Sequence, residues 1–376
     1  MSAAGAAPIF VLNCGSSSIK FALFDAGSTQ LPRTPLWNGK LDDVAGAYPA
    51  ALQQIREGLS AHLGGRRLAA VVHRVVHGGA RYVAPVRVDA GVLADLKAYV
   101  PLAPLHQPFA LEAIDRLLAS DPELPQIACF DTAFHHTMPQ VEQMTGLPYA
   151  AFQRGLRRYG FHGLSYEYMS IVLPERYGDR ARGRCIVAHL GSGASLCAMR
   201  HLESVATTMG FSALDGLLMG TRCGALDPGA LLYLMEIEKL SAAEVADLLY
   251  HQSGLLGVSG VSSDPRVLLP REAGDERVQA ALALYVRRIV REIGALTAVL
   301  GGVDLLVFTA GIGEHNAVIR ERVCRGLGFL GVKLDDAANA GGAALISGPD
   351  SNVAVAVERT NEEWIAAVNA CRLLRG

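Results

Sequence analysis

NCGSSSIKF, residues 13–21, is the stretch that decides the fold of this chain. It lies between two short apolar runs, residues 9–12 and 21–24, each of a length typical of a buried strand. The glycine and serines predict a strand–turn–strand unit, whereas a Walker loop or a dinucleotide fingerprint places a helix after the glycines. Backbone N–H groups, hydroxyls and Lys20 suit a polyphosphate. The alternative is a hairpin tip with solvated serines.

A second copy of this pattern favours the phosphate-binding interpretation. Residues 185–199, CIVAHLGSGASLCAM, again run from an apolar strand through a Gly/Ser turn into an apolar strand. The alignment pairs Asn13 with His189, Gly15 with Gly191, Ser16 with Ser192 and Lys20 with Leu196. The chain is about two domain lengths long. It therefore predicts a duplicated fold with one phosphate hairpin in each half.

The composition is that of a cytoplasmic enzyme. Of 376 residues, 51% are hydrophobic, enough for two cores. A formal charge of −2 gives no electrostatic case for nucleic acid or an acidic membrane. The start lacks a signal-peptide pattern, and no run approaches the roughly 20 apolar residues of a membrane span. Seven cysteines without a C-x-x-C pair indicate buried, reduced thiols.

Two charged residues stand at the ends of apolar strands in the first half. In AAVVHRVVHGG, residues 69–79, strand alternation puts Arg74 and Val76 on one face, suited to the anionic and alkyl ends of a small carboxylate. The alternative is a strand-end arginine paired with a surface acid. Asp131 ends the strand 126–131, where open α/β sheets place functional groups, but it is also a good helix N-cap.

Further candidates lie in glycine-rich surroundings. His162 stands beside Gly163 in RRYGFHG, although a lone histidine is more often structural. Arg222 is isolated between turns in MGTRCGALDP, which indicates an anion site. Residues 305–313 form a strand–glycine–helix unit with its helix starting near His315, suited to a nucleoside or phosphate. Glu362 falls in the first turn of the last helix, where the macrodipole favours acids anyway.

The remaining pattern is coarse. Residues 39–65 are expected to be helical, Ser241 to cap a helix over 241–250, and residues 275–300 to form a long amphipathic helix. A shorter helix is expected over 109–119 and strands over 305–310 and 353–357.

Ten stretches, in order along almost the whole chain, resemble acetate kinases: NCGSSSIKF, HRVVHGG, PLHQP, FDTAFHHTMP, RRYGFHG, HLGSG, MGTRCGALDP, GVSSD, FTAGIGE and TNEE. The resemblance implies an α/β fold of two duplicated actin-like (ribonuclease H-like) domains flanking a nucleotide cleft. Their expected limits are 1–132 plus 365–376, and 133–364, the latter for nucleotide binding and dimerisation. It also implies transfer of the ATP γ-phosphoryl group to acetate, with Mg²⁺ or Mn²⁺, in a homodimer.

The resemblance also implies roles for individual residues. The catalytic set is Asp131, Arg74, His162, Arg222 and His106. The acyl pocket is Arg74, Val76, Leu105, Phe161 and Ala213. The nucleotide set is Ser16, Ser18, Lys20, His189, Gly191, Ser192, Gly193, Asp264, Arg266, Gly311, Ile312, Gly313, Glu314 and His315. The metal would be held by Asn13 and Glu362, with Asp131 helping to organise it.

Some positions depart from the family pattern. Ser192 replaces the asparagine usual in HLGNG, Ala213 replaces a proline common in the acyl pocket, and His315 replaces an asparagine. GLSY follows His162 where GTSH is common. A looser pocket at Ala213 makes propionate or another short-chain acid the alternative substrate, because one methylene gives only ~1–3 kcal/mol of discrimination. A nucleotide-binding sensor that has lost catalysis is expected to lack one of the charged residues, and all are present.

Overall fold

The computed structural model of the protein describes residues 7–15, 18–27, 30–44, 47–104 and 106–375. Its strands are, in chain order, β1 (Ile9–Cys14), β2 (Ser18–Phe24), β3 (Trp37–Asp42), β4 (Ala70–Val75), β5 (Val86–Arg87), β6 (Gln126–Phe130), β7 (Arg184–Leu190), β8 (Ala194–Arg200), β9 (Glu203–Thr207), β10 (Leu305–Thr309) and β11 (Ala354–Val357).

The helices occur singly or in series between these strands. They are α1 (Tyr48–Leu63), α2 (Ala90–Ala98), α3 (Gln107–Ser120), α4 (Gln140–Gln143), α5 (Tyr149–Gln153), α6 (Gly163–Tyr177), α7 (Asp179–Arg182), α8 (Pro228–Glu236), α9 (Ala242–His251), α10 (Gly254–Ser259), α11 (Pro265–Leu268), α12 (Glu276–Leu300), α13 (Ala310–His315), α14 (Ala317–Gly326), α15 (Asp336–Ala340) and α16 (Glu362–Arg375). Short 3₁₀ turns cover Val100–Leu102, Ala133–Thr137, Leu269–Gly274 and Gly328–Leu330. Over the described ranges, no helix combines the length and apolarity needed to cross a bilayer.

The strands form two sheets of the same design. The first has the order β3-β2-β1-β4-β6-β5, and the second, read from its β9 edge, has the order β9-β8-β7-β10-β11. In each, a three-strand antiparallel meander is followed by two strands parallel to its first strand. The predicted duplication, with a hairpin opening each half, is confirmed.

The chain divides into two compact units. One comprises Met1–His136, Gly163–Tyr168 and Asn361–Gly376, and the other Thr137–His162 and Met169–Thr360. In the first unit α16 packs on β1, β2 and β4, and in the second α12 packs on β7 and β8. Central strands such as β6 and β10 are buried along their whole length, as expected for strands covered on both faces.

Most elements expected from the sequence are present. Ser241 caps α9 with a full capping box, in which its hydroxyl and the Glu244 carboxylate each bind the other residue's backbone N–H. The long helix α12 begins after the cap Asp275 and ends at Gly301, which adopts a left-handed φ of 70°. Helix α13, by contrast, begins at Ala310, several residues before the expected start near His315.

The expectation of helix throughout residues 39–65 is wrong in its first part. Residues Trp37–Asp42 form β3, and helix begins only at Tyr48. Strand β3 alternates between half-buried and exposed residues, so its few apolar side chains gave a weak strand signal. Gly39 packs against β2 so closely that a Cβ there would lie 2.5 Å from the ring of Phe21.

The alignment of Lys20 with Leu196 is also wrong. In the first hairpin Asn13 pairs with Lys20, and in the second His189 pairs with Ser195. The second turn is one residue shorter, so the structural counterpart of Lys20 is Ser195. A shift of one residue in a strand moves a side chain to the opposite face of the sheet. Ser195, and not Leu196, therefore lies on the same face as His189.

Candidate active site

Arg74 is the centre of a charged cluster at the carboxyl ends of β4 and β6. Its Nε and Nη2 donate to the two carboxylate oxygens of Asp131 at 2.8 and 2.7 Å. Its Nη1 donates to Asn13 Oδ1 at 3.3 Å and lies 3.3 Å from Glu362 Oε2. Four residues predicted for the site, from β1, β4, the end of β6 and α16, therefore lie together in the first unit.

This cluster is shielded from water. Asp131 is 2% exposed, and burial raises its pKa while the bidentate Arg74 opposes the rise. Burial acts to lower the pKa of Arg74, but the carboxylates of Asp131 and Glu362 outweigh it and the pKa lies above its ordinary value. Arg74 therefore stays charged, and its acid partner is a buried aspartate rather than a surface group. The Asp131 carboxylate binds this guanidinium, which accounts for it without an N-cap role.

Gly163 is expected not to tolerate a side chain. A Cβ there would lie 2.2 Å from the carbonyl oxygen of Asp131, which accepts a hydrogen bond from Gly163 N at 2.8 Å. Gly163→Ala is therefore expected to lower the free energy of unfolding by about 2 kcal/mol or more, measured by urea unfolding. The matched control Gly274→Ala, where a Cβ would meet no atom within 4 Å, is expected to change it by less than ~1 kcal/mol. Equal stability of the two variants would contradict this packing argument.

His162 belongs to the second unit and is held by the second hairpin. It precedes α6 with φ 60° and ψ 24°, a left-handed conformation that a non-glycine residue adopts at a cost and that is common at functional sites. Its Nδ1 lies 2.8 Å from Ser195 Oγ, and its ring stacks on His189 with centroids 4.2 Å apart and planes at 15°. Because His189 and Ser195 are directly opposite in the hairpin, both contacts come from one face.

Arg222 approaches the same turn. Its Nη1 donates to the carbonyl oxygen of Ala213 at 2.8 Å. A Cβ on Gly193 would lie 3.4 Å from Arg222 Nη2 and 3.3 Å from His162 Nε2, so both groups reach the turn where glycine leaves room. Burial lowers the pKa of Arg222, but a guanidinium remains charged at neutral pH. A half-buried cation and an imidazole at one glycine are suited to an anion such as a phosphoryl group.

The strand–glycine–helix unit after β10 is held by its own glutamate. Ala310 has φ 64°, again a left-handed conformation in a non-glycine residue. Glu314 Oε1 accepts from Ala310 N at 2.9 Å and from Thr360 N at 3.2 Å. Glu314, predicted to lie near the nucleotide, therefore fastens the backbone of this turn.

Arg320 is a residue that the sequence interpretation missed. It is 2% exposed, and its Nη1 donates to the carbonyl oxygens of Gly313 and Glu314 at 3.0 and 2.8 Å. Its Nε and Nη2 bind Asn339. These bonds satisfy the carbonyls at the end of α13, so Arg320 fixes the end of this helix. Arg320 lies among the charged residues Glu321, Arg322 and Arg325 of α14, so the sequence pattern carried no signal of this role.

Asp264 and Arg266 form an ion pair at the surface. Asp264 caps α11, accepting from Arg266 N at 2.8 Å, and its carboxylate binds the Arg266 side chain, which is 80% exposed. The hydrogen bond from Arg266 lowers the pKa of Asp264.

The other predicted residues differ in exposure. Lys20, Ser192, Gly311 and His315 are exposed; Ser18, Val76, His106, Gly191, Ala213 and Ile312 are half-buried; Phe161 and Gly313 are buried. Ser16 and Leu105 lie outside the described residues.

The donor groups around Arg74 suit a hard cation. In the described part of the chain no cluster of three or more His, Cys, Asp or Glu side chains forms a complete metal cage. Asp131, Glu362 and Asn13 instead supply two carboxylates and an amide oxygen around one guanidinium. Mg²⁺ typically takes one or two carboxylates and completes its shell with water and phosphate oxygens, so this set fits such an ion.

Comparison with known proteins identifies close relatives. A model of the acetokinase family matches residues 8–368. An acetate kinase of Rhodopseudomonas palustris is 49% identical over 394 aligned residues, covering 98% of each chain.

Solved structures agree. The Porphyromonas gingivalis acetate kinase superposes with a TM-score of 0.87 at 36% identity, covering 98% of this chain and 100% of that one. A propionate kinase from Francisella tularensis gives a TM-score of 0.88 at 34% identity, covering 96% and 98%. These likenesses confirm the predicted fold class, two duplicated α/β domains of the actin type.

Proposed function

The chain belongs to the acetokinase family, and from that premise we propose how its charged clusters act. Its activity is that of an acetate kinase, the reversible transfer of the γ-phosphoryl group of ATP to acetate to give acetyl phosphate and ADP. An acetate oxygen forms a bond to the γ-phosphorus, and the bond from that phosphorus to the bridging oxygen breaks, leaving its electron pair on ADP.

The acceptor needs no general base. A carboxylic acid has an unperturbed pKa near ~4, so acetate is already ionised at neutral pH. What the reaction needs is screening of the repulsion between two anions and stabilisation of charge on the migrating group. Guanidinium and imidazole groups supply this screening and stabilisation. A pair of residues that removes a proton from the acceptor would add nothing, because acetate is already ionised.

The approach of Arg222 and His162 to Gly193 carries the proposal. Both side chains lie beside the turn of a hairpin that resembles the phosphate hairpin of the first half. We assign to them the equatorial oxygens of the phosphoryl group in transfer, with His106 as a further donor. The nucleotide is assigned to Ser16, Ser18, Lys20, His189, Gly191, Ser192, Asp264, Arg266 and residues 311–315.

Arg74 is assigned to the acetate carboxylate. Asp131 binds Nε and Nη2 and fixes the plane of the guanidinium. The acceptor is assigned to the Nη1 side, where it would exchange with the 3.3 Å contacts to Asn13 and Glu362. Val76, Leu105, Phe161 and Ala213 are assigned to the methyl group.

Kinases of this family work with ATP and are generally metal-dependent. We assign Mg²⁺, with Mn²⁺ as a substitute, to Asn13, Glu362 and Asp131. When bound, the ion screens the charge of the ATP phosphates.

Two functional domains are proposed: residues 1–132 with 365–376, and residues 133–364. The second domain is proposed to serve nucleotide binding and dimerisation. The proposed location of the protein is the cytoplasm.

A trapping assay tests the function. Purified protein with ATP and Mg²⁺ is offered acetate, propionate or butyrate, and the acyl phosphate is captured as a hydroxamate. Acetate is expected to give the largest kcat/KM, and EDTA to abolish turnover until Mg²⁺ is restored. Absence of any acyl phosphate would refute the function; larger kcat/KM for propionate would favour the alternative, a propionate kinase like the Francisella relative.

Ala213 is expected to set the preference among acids. Its carbonyl oxygen binds Arg222, so the backbone is fixed and only the side chain changes in a substitution. Ala213→Val is expected to lower kcat/KM for propionate about 10-fold more than for acetate, because added bulk excludes the longer acid. The measurement is the ratio of the two specificity constants, and Ala213→Gly is the opposite control. An unchanged ratio in both variants would remove Ala213 from the pocket.

Helix α8 is proposed as the dimer contact. It buries none of its residues, and apolar side chains in and around it are 41–62% exposed: Leu226, Leu232, Tyr233, Met235 and Ile237. An apolar patch of this kind marks an interaction site. Leu232→Glu is expected to convert the dimer into a monomer in sedimentation, while Glu57→Lys, on the first unit, leaves it intact. A dimer that persists in Leu232→Glu would exclude this face.

A further inference from the structure

Ser195 is the residue in the second hairpin that the family-level assignments above leave without a role. It is fully buried in β8, and its Oγ lies 2.8 Å from His162 Nδ1. It occupies the position that Lys20 holds in the first hairpin, directly opposite His189 as Lys20 is opposite Asn13. At this equivalent position of the two hairpins, the first half therefore has an ammonium group and the second half has a hydroxyl.

The contact decides how the imidazole is presented. One ring nitrogen, Nδ1, meets Ser195, while the other, Nε2, points to the Gly193 turn that Arg222 also reaches. In a neutral imidazole only one nitrogen carries the proton, and the partner of the other nitrogen selects which one. A hydroxyl that donates to Nδ1 leaves the proton on Nε2, where it faces the turn.

His189 removes the remaining freedom of the ring. The two imidazoles stack at 4.2 Å with planes 15° apart, which fixes the plane of the His162 ring, and a 180° flip within that plane would replace Nδ1 by a carbon opposite Ser195 Oγ. The left-handed backbone of His162 then places the side chain over β7 and β8. Stack and hydroxyl together define one orientation of the ring.

We propose that Ser195 is a positioning residue: its hydroxyl donates to His162 Nδ1 and thereby keeps a proton on Nε2, the donor offered to the phosphoryl group at Gly193. This inference rests on the proposed role of His162. It extends that role to a buried group that touches neither substrate. A wrong imidazole tautomer in a catalytic site costs up to ~10⁴ in rate, which shows how much such a hydroxyl can control.

The test compares Ser195→Ala, Ser195→Cys and a matched control. Ser204→Ala removes an equally buried hydroxyl from the neighbouring strand β9, away from the His162 contact. In Ser195→Ala kcat is expected to fall about 30-fold with KM for ATP and acetate unchanged within about twofold, because orientation rather than binding is lost. Ser195→Cys, with a weak donor, is expected to recover part of kcat, and Ser204→Ala to retain full kcat.

A spectroscopic readout separates positioning from catalysis. In protein labelled with ¹⁵N-histidine, the resonance lost in His162→Gln identifies this ring, and its nitrogen shifts report the tautomer. The parent is expected to show the Nε2–H form and Ser195→Ala a mixture. An unchanged tautomer, an unchanged kcat, or a loss of kcat matched by Ser204→Ala would each overturn the proposal. Full turnover in His162→Gln would instead overturn the role of His162, whatever the tautomer does in Ser195→Ala.

Discussion

Replacing Arg222 by alanine is expected to lower kcat about 10³-fold while the protein still folds and binds ATP. The half-buried guanidinium lies beside Gly193 and His162, and Nη1 donates to the Ala213 carbonyl. Charge that develops on the phosphoryl group in transfer would lose the cation assigned to it, whereas the ground-state nucleotide retains the assigned hairpin contacts. Single-turnover transfer and ATP binding by calorimetry measure the two effects separately.

Arg222→Lys is the matched control for charge. Lysine retains a cation but cannot bind the Ala213 carbonyl and reach the turn with two nitrogens at once. It is expected to recover only part of the lost rate. Unimpaired transfer in Arg222→Ala would count against the entire assignment of the second hairpin, and loss of ATP binding would place Arg222 on the nucleotide instead.

Replacing Arg74 by alanine is expected to reduce both activity and stability. The substitution leaves the carboxylates of Asp131 and Glu362 buried without their shared cation, and breaking a buried pair in this way costs about 3–5 kcal/mol. Turnover with acetate is expected to fall about 10³-fold, by analogy with other arginines that act on phosphoryl transfer.

The stability effect has a definite pH dependence. Burial already raises the pKa of Asp131 and Arg74 opposes that rise, so removing Arg74 raises the folded-state pKa further above the unfolded value. A carboxyl group with a raised folded-state pKa is protonated at low pH, and its burial then costs little free energy of unfolding. As the pH rises, the group destabilises the fold increasingly, because the unfolded state ionises more readily than the folded state. Urea unfolding is therefore expected to show a difference in unfolding free energy between parent and Arg74→Ala that widens as the pH rises above about 4, the ordinary pKa of an aspartate.

Arg74→Ala combined with Asp131→Asn is the control. The neutral amide removes the buried charge, so the double variant is expected to recover much of the stability at about pH 8 but none of the activity. A stability gap that is independent of pH would show that Asp131 is not the source of the loss.

The apolar runs and Gly/Ser turns of the two hairpins were enough to predict the duplicated α/β fold. Those runs are central strands buried on both faces, and burial leaves a strong pattern in the sequence. Strand β3 escaped because only one side of it is partly buried, and polar residues fill its other side. A strand is therefore easier to predict from its hydrophobic pattern when more of its residues are buried.

For the candidate site, the sequence pattern could single out residues but could not predict the contacts between them. Arg74, Asp131 and Arg222 stood out because charged residues interrupt apolar or glycine-rich stretches. Ser195 did not, because its contact with His162 joins residues distant in sequence, and Arg320 did not, because it is one of several charged residues in α14. The backbone angles of His162 and Ala310 also depend on tertiary structure, since a left-handed conformation is uncommon in any residue other than glycine.

The unequal lengths of the two turns limit how the halves can be exchanged. A chimera that transplants residues 13–20 onto 189–196 letter by letter would insert lysine at Leu196, on the face opposite the imidazole, and bury an ammonium in the interior of the second sheet. A graft intended to give both halves the same cation has to lengthen the recipient loop by one residue. The two hairpins thus share one topology, but their sequences can be exchanged only if the one-residue difference in turn length is corrected.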